Sequence, residues 1–432
     1  MPLRWLSARR ARVVVTRPGA SNCETSPNDF IEEFIMPGAV FSLAFAASAI
    51  GTTEFVIVGL LPDIARAFDI SVSTAGLLVS FYALAITVGT PVVSALTARL
   101  PRRALLLALM TLFTLCNLAA GLSSSFPALL AIRIVMAVAH GVFFGLGTTV
   151  AMALVPTQKS GRAVAIMVSG LTVAMVTGVP GGTWLGDLMS WRLPFLVVAA
   201  MGALATIGLW RLLPALAAQR SADTILSQLA LLKDHALMPL YAITGLGMGA
   251  TFAVLTYLSP LLVHTTGFGS KGVTLGLTVF GLGSVVGTSG GGRLSDRYGP
   301  KLSMNIALAG IAASVAALWL TAQHPVLVLV NLFVWGAFAF AVPPIMQATV
   351  VLVARHVAPE AVGTAAGLNV ATFNLGISGG SFVGGLTLAG VNVLTTVYAG
   401  VALAVVGLVV VAMYRWSERP SAAPSQRSLG RC

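Results

Sequence analysis

Ionic side chains are scarce in this sequence: Asp, Glu, Lys and Arg make up 9% of 432 residues, and only 13 residues are acidic. Soluble proteins carry about 25% charged residues, so a chain that is 57% apolar has too few ions to cover a water-facing surface. An ordinary soluble enzyme is thereby excluded. Cysteine is nearly absent as well, and Cys23, Cys116 and Cys432 lie too far apart to suggest a disulfide framework or a metal site. The five histidines, at 140, 235, 264, 324 and 356, are scattered, which argues against an enzyme centre embedded in a membrane. No G-x-x-x-x-G-K-[ST] phosphate loop occurs, which disfavours ATP-driven work by this chain. Neither a bound cofactor nor a metal is expected. The excess of Lys and Arg, 25 against 13 acids, is spread through short segments between apolar runs. Binding to nucleic acid would need it clustered on one face.

What fills the chain is apolar runs long enough to cross a bilayer, about 20 residues each. Breaks at Pro, Gly and charge place twelve spans near 39–61, 74–97, 104–122, 127–153, 161–186, 192–213, 239–263, 272–294, 302–321, 326–352, 360–386 and 392–414. The fold class expected is an all-α membrane protein with twelve transmembrane helices. With residue 1 on the cytoplasmic side, the inner segments hold 21 of the 25 basic residues; the outer ones hold Arg66, Arg192 and Lys271, and Arg133 lies inside a span. The excess of positive charge on one side puts both termini in the cytoplasm.

The spans repeat once, at a constant offset of 198 residues without gaps. Pro62 maps to Pro260, Thr53 to Thr251, Arg99 to Arg297, Arg103 to Lys301, and Gly178, Gly182 and Gly186 to Gly376, Gly380 and Gly384. Two parallel six-helix halves, 36–213 and 239–416, follow, joined by a polar cytoplasmic linker at 214–238 and ending in a tail at 417–432. Residues 1–35 read as a disordered extension, with Met36 an alternative natural start. Parallel halves related by an axis along the membrane normal are one architecture of secondary transporters, whose substrate site lies between the halves. The glycine triplets, and Gly283, Gly287 and Gly291 in the eighth span, form bare stripes for close helix packing. They also suit a smooth seam along which helices rock.

Gly291 to Lys301 reads GGRLSDRYGPK. It resembles the G-x-L-x-D-R-x-G-[RK] loop of the major facilitator superfamily, carried by Gly292, Leu294, Asp296, Arg297, Gly299 and Lys301. Such a loop can form ion pairs that break when the halves move, or simply set topology. The matching loop, Ser94 to Arg103, keeps Leu96, Arg99 and Arg103 but has Ser94, Ala98 and Pro101 where the signature has Gly, Asp and Gly. The segments Ile50 to Ala65, Arg133 to Gly147 and Gly178 to Asp187 resemble the proton-coupled drug and sugar efflux branch, near arabinose-exporter-like and purine-nucleoside-exporter-like proteins. The span-5 signature of antiporters, G-x-x-x-G-P-x-x-G-G, survives only as Gly178, Pro180, Gly181 and Gly182. The resemblance implies a monomeric transporter in the bacterial inner membrane that exchanges protons for a small organic solute such as a drug, sugar or nucleoside. A proton symporter and a sensor that does not transport are the alternatives.

A charge at the centre of a membrane helix costs at least about 2.5–3.5 kcal/mol, so each one needs a partner or a purpose. Glu54 lies eight residues before Pro62, and Arg133 six after Pro127. Similar depth suggests a pair, direct or bridged by water. Glu54 is then either a carboxylate that binds and releases a proton or half of a structural ion pair; for Arg133 the resemblance implies a part in proton coupling. His140, two turns beyond Arg133 on the same face, is a proton relay or a neutral contact between the first and fourth spans. Asn117 adds a polar group in the third. At the 198-residue offset Glu54 becomes Phe252 and Arg133 becomes Asn331. With Trp335, Phe338 and Phe340, Asn331 makes an aromatic and amide wall suited to organic substrates. Asn369 and Asn374 suit either substrate contact or inter-helix bonding.

Overall fold

The computed structural model describes residues 36–215, 231–388 and 392–414. The extension at 1–35, most of the linker and the tail at 417–432 therefore lie outside the described residues. The described chain is a succession of helices: α1 Gly38–Ala67, α2 Val72–Thr97, α3 Arg102–Gly121, α4 Phe126–Ala153, α5 Ser160–Val173, α6 Val179–Leu188 and α7 Leu193–Leu212. After the linker come α8 Met238–Leu255, α9 Leu258–His264, α10 Ser270–Tyr298, α11 Pro300–Thr321, α12 Pro325–Val357, α13 Val362–Leu388 and α14 Thr396–Met413. A π-helical turn, Ala174–Gly178, joins α5 to α6. Among the described residues, eleven helical segments are long and apolar enough to cross a membrane by length and composition. The Gly- and Asn-rich α13, 27 residues long, stands at the eleventh span position and brings the number to twelve, its hydropathy diluted by those residues.

Successive spans alternate in direction, α5 with α6 and α8 with α9 each forming one span, so one end of the bundle carries residues 37 and 414 (the terminal end) and the other the α1–α2 turn (the distal end). Arg103 Nη2 donates to Trp210 O at 2.6 Å, joining α3 and α7 at the terminal end. Arg192 Nη2 donates to Ser123 O at 3.0 Å at the distal one. Two distal starts are capped from the sequence: Ser71 Oγ accepts from Thr74 N–H at 3.0 Å, and Ser125 Oγ from Ala128 N–H at 3.4 Å, with Pro127 in the first turn.

Proline explains the interruptions. Pro180 has no N–H to donate to Val176 O, and its ring crowds that carbonyl; the chain widens there into the π turn. Pro260 stands in the same relation to Thr256, where α8 gives way to α9. Its repeat mate Pro62 leaves α1 unbroken to Ala67. Glu54 therefore lies 13 residues, about 20 Å, from the distal end of its helix, deeper than a span ending at 61 implied.

The glycine stripes lie at close contacts. A Cβ added at Gly376, Gly380 or Gly384 of α13 would run into the carbonyl oxygens of Gly245, Gly249 or Ala253 of α8. At Gly283, Gly287 and Gly291 of α10 it would meet the backbone of α12. At Gly178, Gly182 and Gly186 it meets side chains of α1 instead, Thr52, Val56 and Leu60.

The two halves touch along α2 with α13, and along α10 with α6 and the π turn. Ser73 Oγ donates to Gly385 O at 2.8 Å and Thr87 Oγ1 to Ala371 O at 3.1 Å. The Tyr257 hydroxyl fills the space beside Gly76 and Gly385. At the distal end α9 also packs on α1, where Ser259 Oγ donates to Gly59 O at 3.4 Å, and α10 meets α6 more than it meets α5, the terminal part of the fifth span.

Candidate functional site

Midway along α1, Glu54 faces a cavity of ≈ 10 Å³, room for about one water molecule. Tyr82 and Val79 of α2 and Arg133 of α4 share its lining, while Phe252 of α8 and Ile377 of α13 close it from the other half. Arg133 is fully buried. Its guanidinium lies over the Tyr82 ring, 4.5 Å from the centroid, a cation–π arrangement favoured where water is excluded. Nε donates to Leu78 O at 3.4 Å and Nη1 to Thr53 O at 3.3 Å, while Nη2 has no hydrogen-bond partner. Glu54 and Arg133 form no direct ion pair among the described residues. Of the two arrangements expected from sequence, the direct one is corrected. Backbone carbonyls and the Tyr82 ring hold the arginine in place, and the cavity leaves space for a bridging water.

Tyr82 extends this group. Its hydroxyl is hydrogen-bonded to His140 Nδ1 at 3.1 Å, and the His140 ring packs on Phe144 at 5.0 Å. His140 thus bonds to the second span, a correction to the expected contact between the first and fourth. Asn117 connects to Arg133 through Thr53: its Oδ1 accepts from Thr53 Oγ1 at 2.6 Å, and its Nδ2 donates to Phe113 O at 2.9 Å. It ties α3 to α1 next to the carbonyl that holds Arg133. Tyr82 was missed from sequence because a tyrosine within LLVSFYALAI reads as packing. The available signal was the repeat, which pairs it with Phe280.

The expected wall of the second half is dispersed. Asn331 Nδ2 donates to Ser314 O at 2.9 Å and Thr321 Oγ1 at 3.2 Å, both on α11. The Phe338 ring covers Gly310 of the same helix. Both therefore face α11 and not the other half, because at their positions α12 turns its back to the seam. Trp335 is fully buried, edge-on to Phe280 at 5.0 Å, with its indole N–H unpartnered. Asn369 accepts from Thr244 Oγ1 and donates to Gln347 Oε1, each at 2.7 Å, linking α13 to α8 and α12. Asn374 donates to Val370 O at 3.0 Å and keeps an unpartnered Oδ1.

At the terminal end, Gly299 has φ 79° between α10 and α11, a left-handed backbone that glycine adopts without strain. Asp296, Arg297 and Lys301 around it are exposed, as is Arg99 in the matching loop, and Arg297 lies 5.2 Å from the Tyr298 ring centroid. None of these loop residues lines the Glu54 cavity. A second, open cavity of ≈ 700 Å³ lies at the distal end, lined by His264, Gln323 and Asn392 among others.

The family model described as Major Facilitator Superfamily matches residues 43–354. The chain is 41% identical over 380 residues to the uncharacterized MFS-type transporter YtbD of Bacillus subtilis (strain 168), covering 88% of this chain and 95% of that protein. It is 38% identical over 358 residues to a chloramphenicol resistance protein of Streptomyces lividans, covering 82% and 90%. Among solved structures, the nucleoside transporter NupG superposes with a TM-score of 0.69 at 17% identity, covering 87% of this chain and 98% of that one, a likeness of fold alone.

Proposed function

This chain belongs to the major facilitator superfamily, a multi-pass membrane transporter, and on that premise we propose that it exports a small organic solute in exchange for protons. The observation that carries the proposal is Glu54: a carboxyl within a membrane span, in a cavity walled by residues of both halves and shared with Arg133. The surroundings of such a group change when the halves change their docking, which is the requirement for coupling a proton to alternating access. Arg133, held independently of Glu54, supplies a fixed positive charge on the lining of the same cavity. The bias of Lys and Arg supports a cytoplasmic terminal end, and the docking of α9 on α1 and of α10 on α6 at the distal end supports a state closed to the outside. Trp335 and Asn374, each with an unpartnered buried polar atom, are our candidates for cargo contacts.

Chloramphenicol is the first cargo to test, given the resistance protein among the relatives. Inverted vesicles from an exporter-deficient bacterium expressing the protein should accumulate it when a pH gradient, acid inside, is imposed. Adding cargo should make the lumen more alkaline. Glu54→Gln should insert normally and lose the gradient-driven accumulation. Retained accumulation in that variant, or a pH change of opposite sign, would overturn the reading.

A further inference from the structure

We propose that Tyr82 and His140 form the route by which the Glu54 carboxyl exchanges its proton with the terminal-end side of the bundle. The inference rests on the carrier role proposed for Glu54 and assigns that role a path.

Geometry gives the cavity few exits. Phe252 and Ile377 close it from the C-terminal half, and Phe55, Val58 and Val79 add apolar walls. Arg133 holds its protons firmly, because a guanidinium is not deprotonated in proteins, so it is a charge and not a carrier. Tyr82 is the remaining polar group on the lining. It is also the one bonded onward, through the 3.1 Å contact to His140 Nδ1. His140 follows Arg133 by seven residues on α4, about 10 Å nearer the terminal end. The titratable groups around Tyr82 are Glu54 from α1, Cys116 from α3, and Arg133 and His140 from α4. From α8 and α13 the cavity receives only Phe252 and Ile377.

The transfer balances without any co-reactant. The Glu54 carboxyl gives its proton to a water in the cavity, which passes one to the Tyr82 oxygen as the Tyr82 proton moves to His140 Nδ1. The imidazolium so formed releases its Nε2 proton on the terminal side. Net, one proton leaves Glu54; Tyr82, the water and the neutral histidine are regenerated, the histidine as its other tautomer.

Tyr82→Phe is the decisive variant because it keeps the ring beneath Arg133 and removes only the hydroxyl. The full-length protein in lipid nanodiscs, without cargo, would be studied by infrared difference spectroscopy. The Glu54 carboxyl band is identified by its loss in Glu54→Gln, and its hydrogen–deuterium exchange rate is followed after mixing with heavy water. Tyr82→Phe should slow that exchange about 100-fold, the lower end of what a positioned proton-transfer group contributes. His140→Phe should slow it similarly, and the double variant no further, since both act on one route. An unchanged rate in Tyr82→Phe, with the band still titrating, overturns the route and leaves the carrier intact. A Glu54 band that does not change with pH overturns the carrier reading, and the route with it.

Discussion

Positions 198 residues apart occupy corresponding places in the two halves, and at four of them the halves diverge together. Glu54, Tyr82, Arg133 and His140 correspond to Phe252, Phe280, Asn331 and Phe338. In the first half these side chains form one connected polar group. Their counterparts are split: Phe280 packs on Trp335, while Asn331 and Phe338 turn to α11. The two copies thus share a backbone plan and divide the chemistry. One holds the ionisable groups, and the other presents Phe252 as part of the wall that closes their cavity. The packing diverges in the same sense. Glycines of α13 lie against the backbone of α8, whereas those of α6 and the π turn lie against side chains of α1. Contact through side chains leaves the α6–α1 seam room to adjust by rotamer change, and backbone contact gives the α13–α8 seam little.

Three substitution pairs probe that division, from the largest expected effect to the smallest. Arg133→Ala should eliminate gradient-driven transport in vesicles, whereas Asn331→Ala should retain it and lower thermal stability by only about 0.6–2 kcal/mol, the range for hydrogen bonds between membrane helices. Equal loss of transport in both would break the asymmetry. Gly384→Ala should destabilise by about 1–3 kcal/mol, as overpacking does, because its new methyl meets the Ala253 carbonyl. Its mate Gly186→Ala meets the end of the Leu60 side chain, which can rotate away, so its melting temperature should stay near that of the parent. Asp296→Asn should slow turnover severalfold, about 1 kcal/mol on the rocking step, with cargo affinity preserved. Ala98→Asp, at the position that lacks the carboxylate, tests whether the first half can acquire the same sensitivity. A loss of affinity at unchanged rate in Asp296→Asn would count against a mechanical role for that loop.

Much of the architecture was legible in the order of residues because a bilayer imposes length and apolarity on each crossing. The helix boundaries fall within a few residues of the spans read from Pro, Gly and charge, apart from the distal end of α1, which runs on through Pro62. That proline holds the same repeat position as Pro260, yet the helix is interrupted at only one of the two. Glu54 and Arg133 stood out because charge within a span is costly. Tyr82 did not, since a phenol in an apolar run is ordinary until its partners are known. Asn331 and Phe338 were misplaced for a related reason: composition says what a helix carries, while the rotation of α12 about its own axis decides which side each residue faces.

The cavity around Glu54 has one further consequence, which concerns voltage. Across an energised membrane each elementary charge is worth about 2.3 kcal/mol per 100 mV, and that potential falls mostly across the layers least penetrated by water. Phe252 and Ile377 make such a layer beside the carboxyl, and they belong to the half that carries no acid there. The insulation is therefore a joint product of the docked halves, so the electric field felt at Glu54 changes whenever they part.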